Sequence, residues 1–363
     1  MLAYSRQCPN AMPYLMRSIV TAIWINKSVA GLLSFFVLIA IVLLVSQLGA
    51  VQIGFNDWIW IIQPNGDVQP PGSYVLWQLR LPRIIFSIGI GAALGLSGAL
   101  TQGLFRNPLA DPGLLGVSAG AACAVAMGIV IFSDWNASLS PEWRFWLIPV
   151  LAFLGAISVC FALDRIARWI TPGSIAGLLL TGIALNALAA SIIGLCTYLA
   201  SDEQLRNLTF WTMGSLSGAN WMVVIAITML FALAWWRLRR LLAVMNVLAL
   251  GESVAAHVGV EVGRIRMEII IWVALLSGFA VAWCGMIGFI GLVAPNFARA
   301  WLGADQKKVI PASMVLGAIL LVLADTCART LAIPAEVPVG IFTALLGAPF
   351  FIALLRSSRR HIA

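Results

Sequence analysis

The sequence predicts an all-α polytopic membrane protein with about ten transmembrane helices, and three observations predict this fold class. Of its 363 residues, 61% are hydrophobic and only 10% are charged, whereas a soluble domain is about half apolar and about a quarter charged. The mean hydropathy is +0.99. Apolar runs recur along the chain at lengths close to the roughly 20 helical residues that cross a bilayer.

Ten apolar segments are long enough, or nearly so, to span the membrane. We place them at 29–50, 84–105, 114–132, 145–168, 175–200, 219–238, 267–285, 286–302, 309–329 and 339–355. Glycines and Pro295 interrupt the stretch 267–302, which predicts broken helices around a cavity. Residues 51–82 are mixed and rich in proline, and we expect them to form an outer surface loop.

The basic residues predict the orientation of these spans. Ten spans put both termini on one side, and that side carries all but five of the 22 Lys and Arg residues. The five exceptions are Arg80, Arg83, Arg144, Arg206 and Arg329. Because cytoplasmic loops accumulate Lys and Arg, we expect a cytoplasmic N-terminal tail at 1–28, a ten-span domain at 29–356 and a cytoplasmic C-terminal tail at 357–363.

Three other function classes are less well supported. The net charge of +8 forms no basic block apart from the spans, so we expect contact with membrane lipid and not with nucleic acid. An ion-coupled secondary transporter usually holds acids or histidines at mid-membrane. The acidic residues within the predicted spans are instead close to span ends: Asp325 near an outer end, and Asp164 and Glu268 near inner ends. A membrane enzyme needs a convergent His, Cys or carboxylate cluster, and the six cysteines are scattered.

Two polar segments between the spans have recognisable local signals. In "RNPLADPG" (106–113), Asp111 and Pro112 have the residue types of an N-cap and a first helical turn. This segment is either a tight turn between helices or a constriction at the inner mouth of a pore. On the outer side, Ser201 and Gln204 have the capping-box spacing, which predicts a short amphipathic helix across the outer mouth.

Several motifs carry a resemblance to a known family. They are "QLRLPR" (78–83), "GLFRNPLADPGLLGVSAGAA" (103–122), "LLLTGIALNA" (178–187), "LTFWTMGSLSGANW" (208–221), "ALGESVAAHVGV" (249–260), "GMIGFIGLVAPN" (285–296), "LADTCAR" (323–329) and "AEVPVGIFTALLGAPFF" (335–351). In this order they resemble the permease subunits of the ABC importers for ferric siderophores, haem and cobalamin. The resemblance covers nearly all of the chain after residue 75.

The resemblance implies a fold and a set of partners. Such permeases have ten spans, work as a dimer in the bacterial inner membrane, and are joined by two cytoplasmic ATPase subunits and an external substrate-binding protein. The chain has no G-x-x-x-x-G-K-[ST] phosphate-binding loop. We therefore expect no enzymatic activity and no cofactor in this chain, with ATP and Mg²⁺ used by the partner ATPase, and a homodimer as the assembly.

Residues of the gate follow from the same resemblance. Asn107 and Leu109 match the segment that closes the cytoplasmic end of the pathway. Ile175 and Ala176 match the other half of the gate, at the start of the fifth span. Small polar residues are expected there in the family, so this sequence departs from the pattern.

The loop at about 239–266 resembles the segment through which the ATPase acts on the permease. We expect a short helix, a stop at Gly259 and a second turn. Apolar side chains in a cytosolic loop also indicate a protein interface. The residues implied in coupling are Leu250, Gly251, Glu252, Val254, Ala255, Val258 and Gly259.

Arg80, Arg83 and Arg329 match arginines that meet carboxylates of the binding protein in this family. Arginine suits that task because its planar fork binds a carboxylate in a bidentate manner. Two alternatives come from the residues themselves. Interfacial arginines snorkel to lipid headgroups, and Arg329 lies four residues after Asp325, so the two can pair on one helix.

The outer segment 208–221 is most similar to the haem-importing branch, with Phe210, Trp211 and Met213 as candidates to line the pathway. No histidine is available as an axial haem ligand, since His257 and His361 lie in the coupling loop and the tail. Asn296 also stands where histidine is common in the family. Because segment 208–221 is most similar to the haem-importing branch, haem is the expected cargo, with a ferric siderophore or cobalamin as alternatives.

Overall fold

The computed structural model describes residues 27–49, 51–59, 70–133, 140–333 and 335–359. These residues form helices and contain no strand. The chain divides into two units, 1–44 and 45–363, and the contacts reported below all lie within the second.

The ten predicted spans each coincide with one helix. In chain order the helices are α1 (Lys27–Gln47), α2 (Phe55–Ile59), α3 (Pro71–Phe105), α4 (Val117–Val130), α5 (Pro141–Ile170), α6 (Ile175–Leu199), α7 (Asp202–Met213), α8 (Trp221–Leu238), α9 (Leu242–Ala249), α10 (Glu252–His257), α11 (Val262–Cys284), α12 (Ile290–Leu302), α13 (Gln306–Thr330) and α14 (Val339–Arg359). The helices α3, α5, α6, α8, α11 and α13 are long and apolar enough to cross a membrane. We call the end of the bundle that carries α9 and α10 the inner end, and the end that carries α7 the outer end.

The start of α3 corrects one prediction from the sequence. Helix α3 begins at Pro71 and passes through a π-helical stretch at Val75–Arg80, so residues 71–82 are helical and not part of a loop. Proline is compatible with the first turn of a helix because the N–H it lacks has no partner there. The "PPGSY" sequence (70–74) therefore marks a helix start.

Helix α3 lies at the centre of the bundle, since 83% of the residues in its most apolar 18-residue stretch are buried. Its glycines allow other helices to approach its backbone. A Cβ atom at Gly91 would meet the carbonyl of Gly317 on α13, and a Cβ atom at Gly98 would meet the carbonyl of Gly291 on α12. Small residues of this kind are how membrane helices pack closely without a hydrophobic driving force.

This packing predicts a large loss of stability on a very small substitution. Gly98→Ala adds one methyl group against the Gly291 carbonyl, and such overpacking costs about 1–3 kcal/mol or more. Gly194→Ala is the matched control, since nothing lies within 4 Å of a Cβ atom at that helical position. The unfolding temperature in detergent should fall for the first variant and not for the second. Equal values for both would show that α3 and α12 are not held at this distance.

The predicted break between the seventh and eighth spans is confirmed. Helix α11 ends at Cys284, Gly285 has φ 68°, and α12 begins only after Phe289, which also has φ 68°. A positive φ is uncommon outside glycine, so the turn at Phe289 depends on the packing around it. Helix α12 has 13 residues and is about 20 Å long, too short to cross a bilayer core alone.

Candidate gate, coupling and docking sites

The segment 106–115 is a compact turn at the inner end of α3. Arg106 ends α3 in the left-handed conformation, and the Asn107 Oδ1 accepts a hydrogen bond from the Leu109 N–H at 2.9 Å. The Asp111 carboxylate accepts from the Gly113 N–H at 2.8 Å and caps a 3₁₀ turn, Pro112–Leu115. Burial raises the pKa of Asp111, and the hydrogen bond from Gly113 opposes this shift. The predicted cap is thus present, but it starts a 3₁₀ turn and α4 follows only after Gly116.

Asn296 joins this turn to α12. Its Nδ2 donates to the carbonyl of Pro108 at 2.9 Å and to the carbonyl of Leu292 at 2.8 Å, and its Oδ1 accepts from Arg299 at 3.2 Å. One buried amide therefore satisfies both its donors and its acceptor. The sequence marked Asn296 only as a departure from the family, and its role as a brace was missed.

The structure places the predicted gate residues at two helix ends. Asn107 is exposed and Leu109 is partly buried. Ile175 packs against the core and Ala176 is exposed, at the start of α6. The Ser174 hydroxyl caps α6 by accepting from the Gly177 N–H at 3.0 Å. The assignment of these four residues to a gate remains a prediction.

Helices α9 and α10, which together we call the protrusion, lie at the inner end in the segment that the resemblance assigns to coupling. Gly251, with φ 122°, separates them, so the segment holds two short helices where the sequence predicts one. Helix α10 is followed by Gly259 with φ 84°, which confirms the predicted stop. Ala255 is fully buried, so it packs beneath the protrusion and does not lie on its surface.

Three large apolar side chains, which we call the apolar line, remain exposed on this protrusion. They are Leu250, Val254 and Val258, with exposed fractions of 72%, 44% and 67%. Val254 and Val258 are four residues apart on α10 and its C-cap, so they lie on one side of this helix. Leu250 is exposed at the end of α9, before the break at Gly251. A group of exposed large apolar residues is typical of a protein interface.

The protrusion is fixed to the bundle by polar contacts at two points. The Asn246 Nδ2 donates to Asp305 at 2.7 Å, and its Oδ1 accepts from the Gln306 N–H at 2.8 Å. The hydrogen bond from the Asn246 side chain is also the main reason why the pKa of Asp305 lies below its usual value. On α10, Glu252 accepts from Arg266 at 2.5 Å. These contacts tie α9 to the start of α13 and α10 to α11.

At the outer end, Arg83 binds two carboxylates at once. Its Nε and NH2 atoms donate to Asp325 at 2.9–3.2 Å, and its NH1 donates to both oxygens of Glu336 at 2.9 Å. The Asp325 side chain is 3% exposed, whereas the Glu336 side chain is 48% exposed. Arg83 therefore has an inner carboxylate that is buried and an outer one that faces the surface.

The other two arginines hold the backbone at the end of α1. Arg80 donates to the carbonyls of Ser46 at 2.7 Å and Val51 at 2.6 Å. Arg329 donates to the carbonyls of Val45 at 2.9 Å and Leu48 at 3.0 Å. Cations suit this position because the last carbonyls of a helix lack partners and carry partial negative charge.

Asp325 and Arg329 also lie close together, as the sequence suggested. The Arg329 Nε is 3.9 Å from an Asp325 oxygen, which is too long for a hydrogen bond. Arg83 is thus the main partner of Asp325, and Arg329 serves chiefly the carbonyls at the end of α1.

Helix α7 lies at the outer end, and its predicted capping box is confirmed between Ser201 and Gln204. Phe210 and Met213 are exposed, and Trp211 packs partly against the core. The chain after α7 is bound to two other helices. Ser215 N–H donates to the Cys284 carbonyl at 2.8 Å, and Val339 N–H donates to the Gly214 carbonyl at 3.1 Å.

Within the described ranges, no three His, Cys, Asp or Glu side chains are grouped so that they could hold a metal ion. The sites on the chain are instead surfaces and turns at the two ends of a helical bundle.

Comparison with known proteins identifies the family. The model of the FecCD transport family matches residues 5–357. The hemin transport system permease protein HmuU of Yersinia pestis is 40% identical over 334 residues, which cover 90% of this chain and 96% of that protein. The vitamin B12 import system permease protein BtuC of Photorhabdus laumondii is 39% identical over 300 residues, or 83% of this chain and 86% of that protein.

A solved structure agrees with the fold. A metal-chelate type ABC transporter in an inward-facing conformation superposes with a TM-score of 0.75 at 30% identity, and the match covers 89% of this chain and 97% of that one. The match with the family model covers the described bundle up to residue 357, including the inner turn, the protrusion and the outer arginines. The chain therefore belongs to the FecCD transport family and is a permease of an ABC importer.

Proposed function

We propose that this permease carries haem across the inner membrane. The observation that carries the proposal is the 40% identity to a hemin permease over 90% of the chain. Cobalamin is the second candidate, because a vitamin B12 permease is 39% identical over 83% of the chain; a ferric siderophore is the third. Phe210, Trp211 and Met213 at the outer end would pass a flat aromatic cargo without ligating it.

The assembly that we propose is a homodimer of this chain with two ATPase subunits and an external binding protein. The ATPases hydrolyse ATP with Mg²⁺, and this chain binds no cofactor. Both termini lie in the cytoplasm, with residues 1–28 and 357–363 as tails and 29–356 as the permease domain. Asn107, Leu109, Ile175 and Ala176 form the inner gate.

The apolar line, with Leu250, Val254 and Val258, is the proposed contact with the ATPase. It supports this role because its side chains are exposed and stand on a protrusion that is fixed by Asn246 and Glu252. Gly251 and Gly259 set the turns at either end of α10, and Ala255 packs beneath it.

Arg83 is the proposed docking arginine for a carboxylate of the binding protein. In the structure its outer edge is occupied by Glu336 of the same chain. We infer that the partner's carboxylate replaces Glu336 while the buried Asp325 stays in place. Arg80 and Arg329 support the docking surface by fixing the backbone at Val45, Ser46, Leu48 and Val51.

The assembly and the cargo are tested together on a purified complex. Mass measurement of the permease co-expressed with its ATPase should give two copies of each chain. With the binding protein present, haem should stimulate ATP hydrolysis more strongly than cobalamin or a ferric siderophore at the same concentration. If only cobalamin stimulates ATP hydrolysis, then cobalamin and not haem is the cargo. The family and the proposed assembly would not be affected by that result.

A further inference from the structure

A groove at the inner end of the bundle lies outside the gate, the protrusion and the docking surface. It has a volume of about 600 Å³ and is lined by the ends of α5, α8 and α11. Three arginines, Arg168, Arg237 and Arg264, line it together with Trp236 and Trp272. Arginine and tryptophan are the side chains that membrane proteins place at the headgroup level.

Two of the arginines, Arg168 and Arg237, present their charge outward because their carboxylate partners are more buried than they are. The third, Arg264, is 78% exposed and pairs with the exposed Glu261 at 3.0 Å. Arg168 is 53% exposed and pairs with Asp164, which is 4% exposed. Arg237 is 42% exposed and pairs at 2.8 Å with Glu268, which is 15% exposed. A guanidinium has five N–H donors, so Arg168 and Arg237 are held in place by their acids and keep donors for an anion on the open side, although Glu268 also lines the groove.

The groove continues into an apolar cavity. This second cavity, of about 80 Å³, lies between α5 and α11 and shares Met267 and Ile271 with the groove. Its lining runs from Asp164 back to Ile157 on α5 and forward to Leu275 on α11. From Arg168 to Ile157 the helix rises about 16 Å. An arginine-lined opening followed by an apolar cavity between α5 and α11 suits an anionic headgroup and part of one acyl chain.

We propose that this groove is a binding site for an anionic phospholipid of the phosphatidylglycerol type. The phosphate binds Arg168, Arg237 and Arg264, the glycerol backbone rests against Trp236, and one acyl chain follows Met267 and Ile271 into the apolar cavity. Basic pockets between the ends of transmembrane helices bind anionic headgroups in this way. Free phosphate lacks the chain that the apolar cavity accommodates, so the lipid is the committed ligand.

Native mass spectrometry of the permease–ATPase complex, delipidated and titrated with defined lipids, tests the site. We expect one phosphatidylglycerol per permease copy to be retained at collision energies that strip phosphatidylcholine with the same acyl chains. Glycerol phosphate should not compete. The double variant Arg168→Gln/Arg237→Gln should weaken retention about thirtyfold, because each basic residue near a headgroup contributes a separate attraction.

A second variant serves as a control for misfolding, because the double variant leaves two carboxylates without their arginine partners. Ile271→Trp fills the channel, leaves every ion pair intact and should also weaken retention. Arg356→Gln, which removes an exposed arginine from α14 outside the groove, should change nothing. Equal retention of phosphatidylcholine, or unchanged retention in both groove variants, overturns the proposal. Loss of the permease dimer on Ile271→Trp would assign the groove to a protein contact and overturn it as well.

Discussion

Val254→Asp and Val258→Asp should each abolish co-purification with the ATPase while leaving the permease in the membrane at normal levels. Both side chains are exposed in this chain alone, so a carboxylate there costs little until the ATPase covers it. In the proposed contact the charge would be buried without a partner, which costs several kcal/mol. Co-purified ATPase on a gel, at equal permease loading, measures the effect.

The matched control for these variants is Ala256→Asp. Ala256 is also exposed on α10 but lies off the apolar line, because two residues from Val254 is about half a helical turn. This variant should bind the ATPase normally. If all three variants bind the ATPase equally well, the apolar line is not the contact with the ATPase. This conclusion does not depend on whether the variants still transport.

Arg83→Glu and Glu336→Gln should change the affinity for the binding protein in opposite directions. Charge reversal at Arg83 removes the proposed partner of a docking carboxylate and should weaken binding about a hundredfold, as for a truncated interfacial charge pair. Glu336→Gln frees the outer edge of Arg83 and should strengthen binding up to about fivefold, because an exposed ion pair is worth at most about 1 kcal/mol. Both effects should shrink above physiological salt, where charges are screened within about 8 Å.

The pair of variants separates docking from folding. Arg83→Glu also leaves Asp325 buried beside a like charge, so loss of binding by this variant alone could reflect a damaged outer end. Glu336→Gln breaks only the exposed half of the cluster and leaves the contact with Asp325 intact. Arg206→Glu reverses another exposed arginine at the outer end and should bind normally. Unchanged affinity in Glu336→Gln would contradict the exchange of carboxylates at Arg83.

The sequence predicts those parts of this protein that depend on neighbouring residues. The capping box at Ser201 and Gln204, the stop at Gly259 and the break after Cys284 are all present because their signals lie within a few residues of one another. The ten apolar segments likewise follow from local hydropathy. The start of α3 was misplaced because proline at a helix N-terminus and proline in a loop give the same local pattern.

Contacts between distant residues could not be predicted in this way. Arg83 and Glu336 are 253 residues apart, and Asn296 and Pro108 are 188 residues apart. No spacing rule joins such pairs, since they meet only after the helices have packed. The burial of Ala255 beside the exposed Val254 could not be predicted either. In a short apolar helix, the sequence does not indicate which side packs against the bundle.

ATP-dependent uptake of haem into proteoliposomes tests the central claim most directly. The liposomes should contain this permease with its ATPase, with the haem-loaded binding protein added on the side opposite the ATPase. We predict accumulation of haem that requires hydrolysable ATP and that is lost when the ATPase is omitted or when Val258→Asp replaces the parent chain. Uptake by the permease without any ATPase, or the same uptake when ATP is replaced by a non-hydrolysable analogue, would contradict this account.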